Sequence, residues 1–330
     1  MRRLIAALAL GLATPAFGAE PPQVLQVLQA ELGHLAEPAA GVVGVAAWRL
    51  NASGPRILLN ADQAFPMAST FKVAVAGKIL SDVDGGKLSL GQLVLVPHAM
   101  MVESEGLAST FHYDGVSVSV RNLLELMLTV SDNTATDVLT KLAGGPAAVT
   151  AWVRGQGVDG LRVDRDTAGL IRDFYGLPPG PSFPDSLAAG LKANPKLEEI
   201  GDKPDPKFDK DPRDTATPLA MGTLLQRIFT GKALSAASTT LLTEIMKRNT
   251  TGKARIRGRL PEGTEVAEKT GTIGGSLNNV GLVTLPGNGG KVIMAIFVKE
   301  SPKPFEDRER VIADIARALY DYYLFGDGAQ

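Results

Sequence analysis

The two ends of the chain carry the apolar runs that predict β-strands. Near the start, GVVGVAAWRL (41–50) and RILLN (56–60) predict two strands joined by a turn. Near the end, EVAEKTGT (265–272), NNVGLVTL (278–285) and KVIMAIFV (291–298) predict three more strands, which glycine-rich turns separate. We therefore expect strands from both ends to meet in one sheet.

Between these strands, apolar residues recur every three or four positions, which is typical of amphipathic helices. The pattern is helical from Ser69 to about Leu142, and SVRNLLELMLTV (119–130) begins with a serine suited to cap a helix. Further helices are predicted at residues 24–35, 133–142, 146–155, 218–229, 235–248 and 305–324. The predicted fold class is α/β with an all-α lobe: an antiparallel sheet built from both termini and flanked by helices, plus an inserted helical subdomain.

One segment, from Leu177 to Pro212, interrupts the helical pattern. It holds eight of the chain's 21 prolines and includes the charged run GDKPDPKFDKDPRD. Long segments of this kind in a compact protein are usually functional loops or disordered insertions. We predict an extended loop over about 165–214 and leave both interpretations open.

The first residues, MRRLIAALALGLATPAFGAE, place two arginines before a short apolar run that small residues follow. This order is typical of a secretory signal peptide, with an N-terminal membrane anchor as the alternative. We predict a signal peptide over 1–18, a single domain over 19–330, and a periplasmic or secreted location. Within the domain, about 22–62 and 254–330 form the α/β lobe, and about 63–253 form the helical lobe.

Composition narrows the chemistry that this chain can perform. Of its 330 residues 45% are hydrophobic, and none is a cysteine, which excludes disulfides, thiolate nucleophiles and cysteine-based metal sites. The three histidines, at 34, 98 and 112, lack ligand spacing, so we expect no metal and no Ser-His-Asp triad. A formal net charge of −1 gives no reason to expect a nucleic-acid partner. We expect a monomer without a cofactor and without stable membrane insertion.

Three short motifs follow one another in an order that suits nucleophilic chemistry. They are Ser69-Thr70-Phe71-Lys72 at the start of a predicted helix, Ser131-Asp132-Asn133 between two helices, and Lys269-Thr270-Gly271 on a predicted strand. Each has a structural alternative. The first lysine could lie along a helix surface, the second motif could cap a helix, and the third could be an ordinary edge strand.

The first motif raises the question of why a lysine stands in the apolar run MASTFKVAV (67–75). Residues three apart share a helix face, so Lys72 can reach the hydroxyl of Ser69 and take its proton. Burial of Lys72 and the positive charge of Lys269 would both lower the pKa of the amine, which makes a neutral base available. Ser69 also gains from the helix start, where N–H groups favour a developing oxyanion.

The ordered set resembles the signature of class A β-lactamases, within the serine β-lactamase and penicillin-binding superfamily. The resemblance covers nearly all of the chain after the predicted signal peptide, except the proline-rich segment. It implies that Ser69 is acylated and that Ser131 passes a proton to the leaving nitrogen. It also implies that Asn133 holds both Lys72 and the amide side chain of the substrate.

The same resemblance implies a binding role for the strand that carries the third motif. Lys269 and Thr270 would contact the substrate carboxylate. The N–H of Thr272 would pair with the N–H of Ser69 as the oxyanion hole.

An arginine often anchors that carboxylate in class A enzymes. Arg255, five residues before Leu260, matches one of the positions where the family places it. Arg257 and Arg259 compete for the role, and a plain surface arginine is the alternative.

The chain departs from the family where class A enzymes carry the glutamate that positions the deacylating water. The preceding pair Asp164-Arg165 is present, and Arg165 could pair with Asp214 in the closing motif DPRDT (211–215), but Thr167 occupies the glutamate position. A carboxylate from the extended loop or its hinge would have to replace it. The candidates are Asp166 and Glu199 first, then Asp173 and Glu198.

The resemblance implies a secreted serine hydrolase that opens the β-lactam ring through a Ser69 acyl-enzyme, with a small β-lactam or peptidoglycan-like substrate. The missing glutamate favours a different hydrolase, a penicillin-binding-type D,D-peptidase or esterase that deacylates slowly. A ligand-binding protein on the same fold is a second alternative, against which the intact Ser69 and Lys72 argue.

Overall fold

The computed structural model describes residues 23–51 and 54–326. The predicted signal peptide at 1–18 lies outside these residues. Within the described ranges, no helix combines the length and the apolar character needed to cross a membrane.

One antiparallel sheet takes its strands from both ends of the chain, as predicted. Its strands lie side by side in the order β2 (Ile57–Leu59), β1 (Val42–Arg49), β9 (Lys291–Lys299), β8 (Ser276–Thr284) and β7 (Val266–Ile273). The three inner strands are buried along almost their whole length, which explains their nearly continuous apolar sequences. The strand that carries Lys269-Thr270-Gly271, β7, forms one edge of this sheet.

Two terminal helices, α1 (Gln23–Ala36) and α12 (Phe305–Asp321), pack against the sheet and share its apolar core. Leu32 of α1 and Ile315 of α12 are fully buried in this core, together with Ile296 of the central strand β9. The α/β lobe is thus held by side chains that are far apart in sequence.

The middle of the chain forms the helical lobe, in which α10 lies against β1 and β9 and joins the two lobes. The predicted fold class is confirmed, and Ser119 caps α4 as predicted by accepting from the N–H of Asn122. The helices of this lobe are α2 (Lys72–Asp84), α3 (Leu107–Thr110), α4 (Val120–Thr129), α5 (Asn133–Leu142), α6 (Pro146–Gly155), α7 (Thr167–Tyr175), α8 (Phe183–Ala193), α9 (Pro206–Asp209), α10 (Pro218–Phe229) and α11 (Ala236–Lys247).

The prediction of an all-helical segment from Ser69 to Leu142 is wrong in part. A hairpin of β4 (Leu93–Val96) and β5 (Val116–Ser119) interrupts it. The sequences LVLV and VSVS favour strands through their β-branched residues, and VSVS also alternates with period two. A further short pair, β3 (Phe65–Pro66) with β6 (Thr215–Ala216), ties the chain before Ser69 to the end of the extended loop.

The proline-rich segment is folded onto the helical lobe as two helices, α8 and α9, and a 3₁₀ turn at Leu197–Ile200. Phe183 and Leu197 are buried in an apolar cluster with Val102, which anchors the segment to the lobe. Two of its prolines stand in the first turn of α8 and of α9, where proline favours a helix. The predicted single extended loop is therefore a compact helical insertion.

Candidate active site

Ser69 lies on a 3₁₀ turn, Ala68–Phe71, that leads directly into α2. Residues three apart are eclipsed in a 3₁₀ turn, so Ser69 and Lys72 lie on one side. Ala68 has a φ of 44°, a left-handed conformation that is costly for alanine and that is often found at functional sites. The side-chain amide of Asn278 fixes the start of the turn by donating to the carbonyl oxygens of Pro66 (2.8 Å) and Met67 (3.0 Å).

The edge strand β7 passes close to this turn. A Cβ atom at Gly271 would lie 2.5 Å from the carbonyl oxygen of Met67 and 3.1 Å from the N–H nitrogen of Thr70. Only glycine fits at this distance, so Gly271 lets the strand and the turn that carries Ser69 meet.

The amine of Lys72 is fully buried and donates to three oxygens: Ser131 O (2.7 Å), Ser131 Oγ (3.2 Å) and Asn133 Oδ1 (2.8 Å). The predicted hydrogen bond to Ser69 is not one of these three. Burial lowers the pKa of Lys72 to about 7, although the charges of Asp137 and Asp132 raise it. Near neutral pH the amine is therefore divided between its charged and neutral forms.

Lys269 is also fully buried, and its amine donates to Ser131 Oγ (3.0 Å) and to Thr270 O (2.9 Å). Burial lowers its pKa well below the ordinary value, and the nearby charge of Lys72 adds to the effect. Both lysines thus bind one hydroxyl, that of Ser131. The structure brings the second and third motifs together at this atom, beside the turn that carries the first.

The middle motif serves as a helix cap and also shapes the site. Asp132 accepts from the N–H of Ala135 (2.7 Å), which caps α5, and from the N–H of Leu107 (2.6 Å). Its neighbour Ser131 has a φ of 61°, a second left-handed residue at the site.

The side chain of Asn133 is held on two sides. Its oxygen accepts from Lys72, and its Nδ2 donates to the carbonyl of Glu103 at 3.0 Å. Its backbone N–H donates to Ser104 Oγ at 2.9 Å. The segment at 103–104 therefore forms a wall of the site, which the sequence did not reveal.

Arg255 is buried behind β7, where its guanidinium joins several elements. It donates to the carbonyls of Gly271 (3.1 Å) and Asn278 (2.9 Å), to Thr272 Oγ1 (2.8 Å) and to Glu309 Oε1 (3.1 Å). Burial lowers its pKa. Its positive charge lies directly behind the exposed side chain of Thr272.

The two competing arginines are bound elsewhere. Arg257 donates to the buried carboxylate of Glu268 (2.5 Å), and Arg259 pairs with Asp314 on α12 (2.7 Å). Of the three candidates, Arg255 is the one that contacts Thr272.

An ion-pair network closes the base of the extended loop. Arg165 binds Asp214 with an Nε to Oδ2 distance of 2.5 Å, as the sequence predicted. Asp173 pairs with Arg165 (2.6 Å) and Arg213 (3.0 Å), so this candidate carboxylate is engaged in holding the loop.

The remaining candidates for the missing carboxylate lie in different surroundings. Asp166 is exposed, and its Oδ1 caps α7 by accepting from the N–H of Gly169 at 2.7 Å. Glu199 is exposed on the 3₁₀ turn of the insertion, and the side chain of Glu198 lies outside the described residues.

Sequence reasoning missed a buried carboxylate, Asp137. It lies on α5 one turn after Asn133, and its two oxygens accept from the N–H groups of Thr167 (2.6 Å) and Ala168 (2.9 Å) at the start of α7. Burial raises its pKa to about 7, and the charge of Asp166 adds to the shift. The available signal was its spacing of four from Asn133, which places both side chains on one face of the helix.

A cavity of about 540 Å³ opens beside the 103–104 wall, between the segment at 98–112 and the inserted helix α8. It is lined mainly by apolar and histidine side chains, among them Met101, Leu187, His98 and His112. Because Ser104 and Glu103 also line it, the cavity extends the site away from Ser69. Among the residues described, no group of His, Asp or Glu side chains could hold a metal ion.

Comparison with known proteins identifies relatives over nearly the whole chain. Residues 27–323 match the Beta-lactamase enzyme family. Extended-spectrum beta-lactamase PER-1 from Pseudomonas aeruginosa is 30% identical over 86% of this chain and 82% of its own length. Beta-lactamase VEB-1 from the same organism is 28% identical over 86% of this chain and 85% of its own length.

Solved structures show the same likeness. An ancestral (GNCA) class A β-lactamase superposes with a TM-score of 0.74 at 32% identity, covering 89% of this chain and 99% of that one. A β-lactamase from Chitinophaga pinensis superposes with a TM-score of 0.73 at 31% identity, covering 89% and 98%.

Proposed function

Because this chain belongs to the Beta-lactamase enzyme family, and is therefore a hydrolase acting on the β-lactam amide, we propose that it opens the ring through an acyl-enzyme on Ser69. The observation that carries this proposal is the meeting of two buried lysines at the hydroxyl of Ser131, beside the Ser69 turn. The sequence of residues 1–18 supports export to the periplasm or the exterior.

In the proposed acylation, the neutral amine of Lys72 takes the proton of Ser69 while the serine oxygen attacks the ring carbonyl. The N–H groups of Ser69 and Thr272 stabilise the resulting oxyanion, which the close approach of β7 to the turn supports. When the carbon–nitrogen bond breaks, Ser131 gives its proton to the nitrogen and regains one from Lys72.

Substrate binding is assigned to groups around this centre. Lys269 and Thr270 bind the carboxylate of the ring system, and Arg255 adds positive charge from behind Thr272. Asn133 binds the amide side chain of the substrate with its fixed side chain.

For the second step, in which water releases the product, the candidates that the sequence offers are Asp166 first and Glu199 next. In support of Asp166, the residue is exposed, and the cap of α7 uses its Oδ1. Glu199 is exposed but lies within the insertion, on the 3₁₀ turn at Leu197–Ile200.

The test combines intact-protein mass spectrometry over time with a chromogenic cephalosporin assay. A penicillin should add its mass to the protein, the adduct should disappear, and the cephalosporin should turn over many times. One burst that stalls for minutes would instead support the D,D-peptidase or esterase alternative. Binding without any adduct would refute the covalent mechanism and favour a ligand-binding protein.

Arg255→Ala is expected to lower kcat/KM for β-lactams that carry the ring carboxylate and to spare neutral esters. If the charge of Arg255, acting through the hydroxyl of Thr272, contributes as much as one charge-assisted hydrogen bond, about 1.5–3 kcal/mol, the loss is about 10-fold to 150-fold. Both substrate types are compared by steady-state kinetics, with thermal unfolding measured in parallel because Arg255 is buried.

Arg259→Ala is the matched control, since Arg259 pairs with Asp314 at the surface and should leave both activities unchanged. Equal losses on the two substrate types in Arg255→Ala would show that Arg255 only holds β7 in place.

A further inference from the structure

The hydroxyl of Thr167 is buried beside the carboxyl of Asp137. The residue is 4% exposed, and among the described residues its Oγ1 has no hydrogen bond of ordinary geometry, although the backbone N–H of the same residue donates to Asp137. Leaving a hydroxyl unsatisfied costs free energy, so such groups in a native protein often meet a ligand or water. The hydroxyl is close enough to the Asp137 carboxyl to lower the pKa of that group.

The position of α7 brings Thr167 near the nucleophile turn. Leu170 lies three residues further along, on the same face of the helix as Thr167. It packs in one apolar cluster with Ala68, the residue next to Ser69, and with Ile273 at the end of β7. This face of α7 therefore lies beside the turn that carries Ser69.

Asp137 accepts from the backbone N–H of Thr167 and lies near the amine of Lys72. It shares a face of α5 with Asn133, whose oxygen accepts from Lys72 at 2.8 Å. Of the charged neighbours that raise the pKa of Lys72, Asp137 has the largest effect. Thr167 thus lies next to the carboxyl of Asp137, on a helix face that packs beside the Ser69 turn.

We propose that Thr167 and Asp137 form a two-residue relay that activates the deacylating water, in place of the glutamate that the chain lacks. The hydroxyl of Thr167 accepts the water's proton and passes its own proton to Asp137 as the water oxygen bonds to the carbonyl carbon of the Ser69 ester. Asp137 then returns a proton through Thr167 to the oxygen of Ser69 as the ester bond breaks. The inference rests on the proposed function, since it requires the Ser69 ester.

The charges around Asp137 suit this task. Burial and the carboxylate of Asp166, at the start of α7, raise its pKa to about 7, whereas the N–H groups of Thr167 and Ala168 lower it. Lys72 on α2 faces it with the opposite charge when protonated, and Asp132 lies at the start of its own helix. A base with a pKa near the working pH is the most effective one. Since the ionised form accepts the proton, deacylation should rise with pH through about 7.

Three variants separate the chemistry of the relay from its structural role. Thr167→Val keeps the shape and the N–H of the residue but removes the hydroxyl, whereas Thr167→Ser keeps the hydroxyl. Asp137→Asn removes the proton acceptor. After a pulse of penicillin, the fraction of acylated protein is followed by intact-protein mass spectrometry at several pH values.

Thr167→Val and Asp137→Asn are expected to form the acyl-enzyme but to clear it about 10²-fold to 10⁴-fold more slowly, the scale for losing a positioned base. Thr167→Ser should clear it within a few-fold of wild type. Asp185→Asn, a change at an exposed carboxylate of α8, is the control and should behave as wild type.

Two further readouts would not respond to a purely structural role. Asp166→Asn removes a charge that raises the pKa of Asp137, so the relay predicts a lower pH midpoint of deacylation, whereas a base at Asp166 predicts loss of deacylation at every pH. In the double variant Asp137→Asn with Thr167→Glu, a carboxylate stands at the position of the hydroxyl, and clearance should recover.

If Thr167→Val clears the acyl-enzyme at the wild-type rate, the relay is refuted. This result does not depend on whether Asp137→Asn folds. A stalled acyl-enzyme in Asp166→Asn at every pH, with rapid clearance in Thr167→Val, would make Asp166 the base instead. Failure of the wild-type protein to form any adduct would refute the proposed function, and the relay with it.

Discussion

Replacing Ser69 with alanine is expected to abolish covalent labelling by every β-lactam and to lower turnover by about 10⁶-fold, the scale for removing a serine nucleophile. The turn that carries Ser69 is fixed by Asn278 and by the close approach of Gly271, and neither contact involves the serine hydroxyl. The variant should therefore fold and bind substrate without forming the ester. Intact-protein mass spectrometry after incubation with a penicillin measures the adduct directly.

Ser109→Ala is the matched control for this experiment. Ser109 is an exposed serine on α3 that lines the cavity beside the site, so its loss should leave labelling unchanged. An adduct of full stoichiometry on the Ser69→Ala protein would place the nucleophile elsewhere and end the proposed mechanism.

The three motifs were predictable because each is short and its chemistry is local. Ser69 and Lys72 lie within one helical turn, so their proximity follows from their spacing alone. The need for glycine at 271 follows from one close contact with the Ser69 turn. The strands at both ends were also predictable, since buried strands require continuous apolar residues.

The structure of the insertion was harder to predict because proline is common both in loops and in the first turn of helices. The many prolines predict a loop, yet Pro184 and Pro206 both stand in the first turn of a helix, where the missing N–H costs nothing. Ser182 caps the first of these helices by accepting from the N–H of Asp185. The serine cap is a local helix signal in the sequence, which the density of prolines around it obscures.

Asp137 could not be assigned from sequence for a different reason. An aspartate within a helix is usually a solvated residue, and its pKa near 7 arises only when α7 covers it and Asp166 comes near. The partners of Arg255 are likewise set by tertiary contacts, since Glu309 and Thr272 reach it from α12 and β7. These properties arise from contacts between two elements, so the residue pattern along one helix or strand cannot predict them.

Lys72→Ala is expected to slow acylation by about 10²-fold to 10⁴-fold, the range for losing a general base. In the wild-type protein, burial lowers the pKa of the amine to about 7, although the charges of Asp137 and Asp132 raise it. The base is the neutral amine, which forms as the pH rises. The acylation rate should therefore increase with pH, with a midpoint of about 7, when it is measured by stopped-flow mixing with a chromogenic cephalosporin.

Lys72→Arg provides the sharper test, because it keeps the positive charge and loses the ability to give up a proton. Arginine remains protonated at any pH that the protein tolerates, so acylation should stay slow and the rise near pH 7 should disappear. Lys78→Arg, on the same helix and paired with Asp82, is the matched control and should acylate as wild type does. If Lys72→Arg kept both the rate and the pH profile, the proton of Ser69 would pass to another group. The lowered pKa of Lys72 would then be only a consequence of its burial next to Ser131 and Asn133.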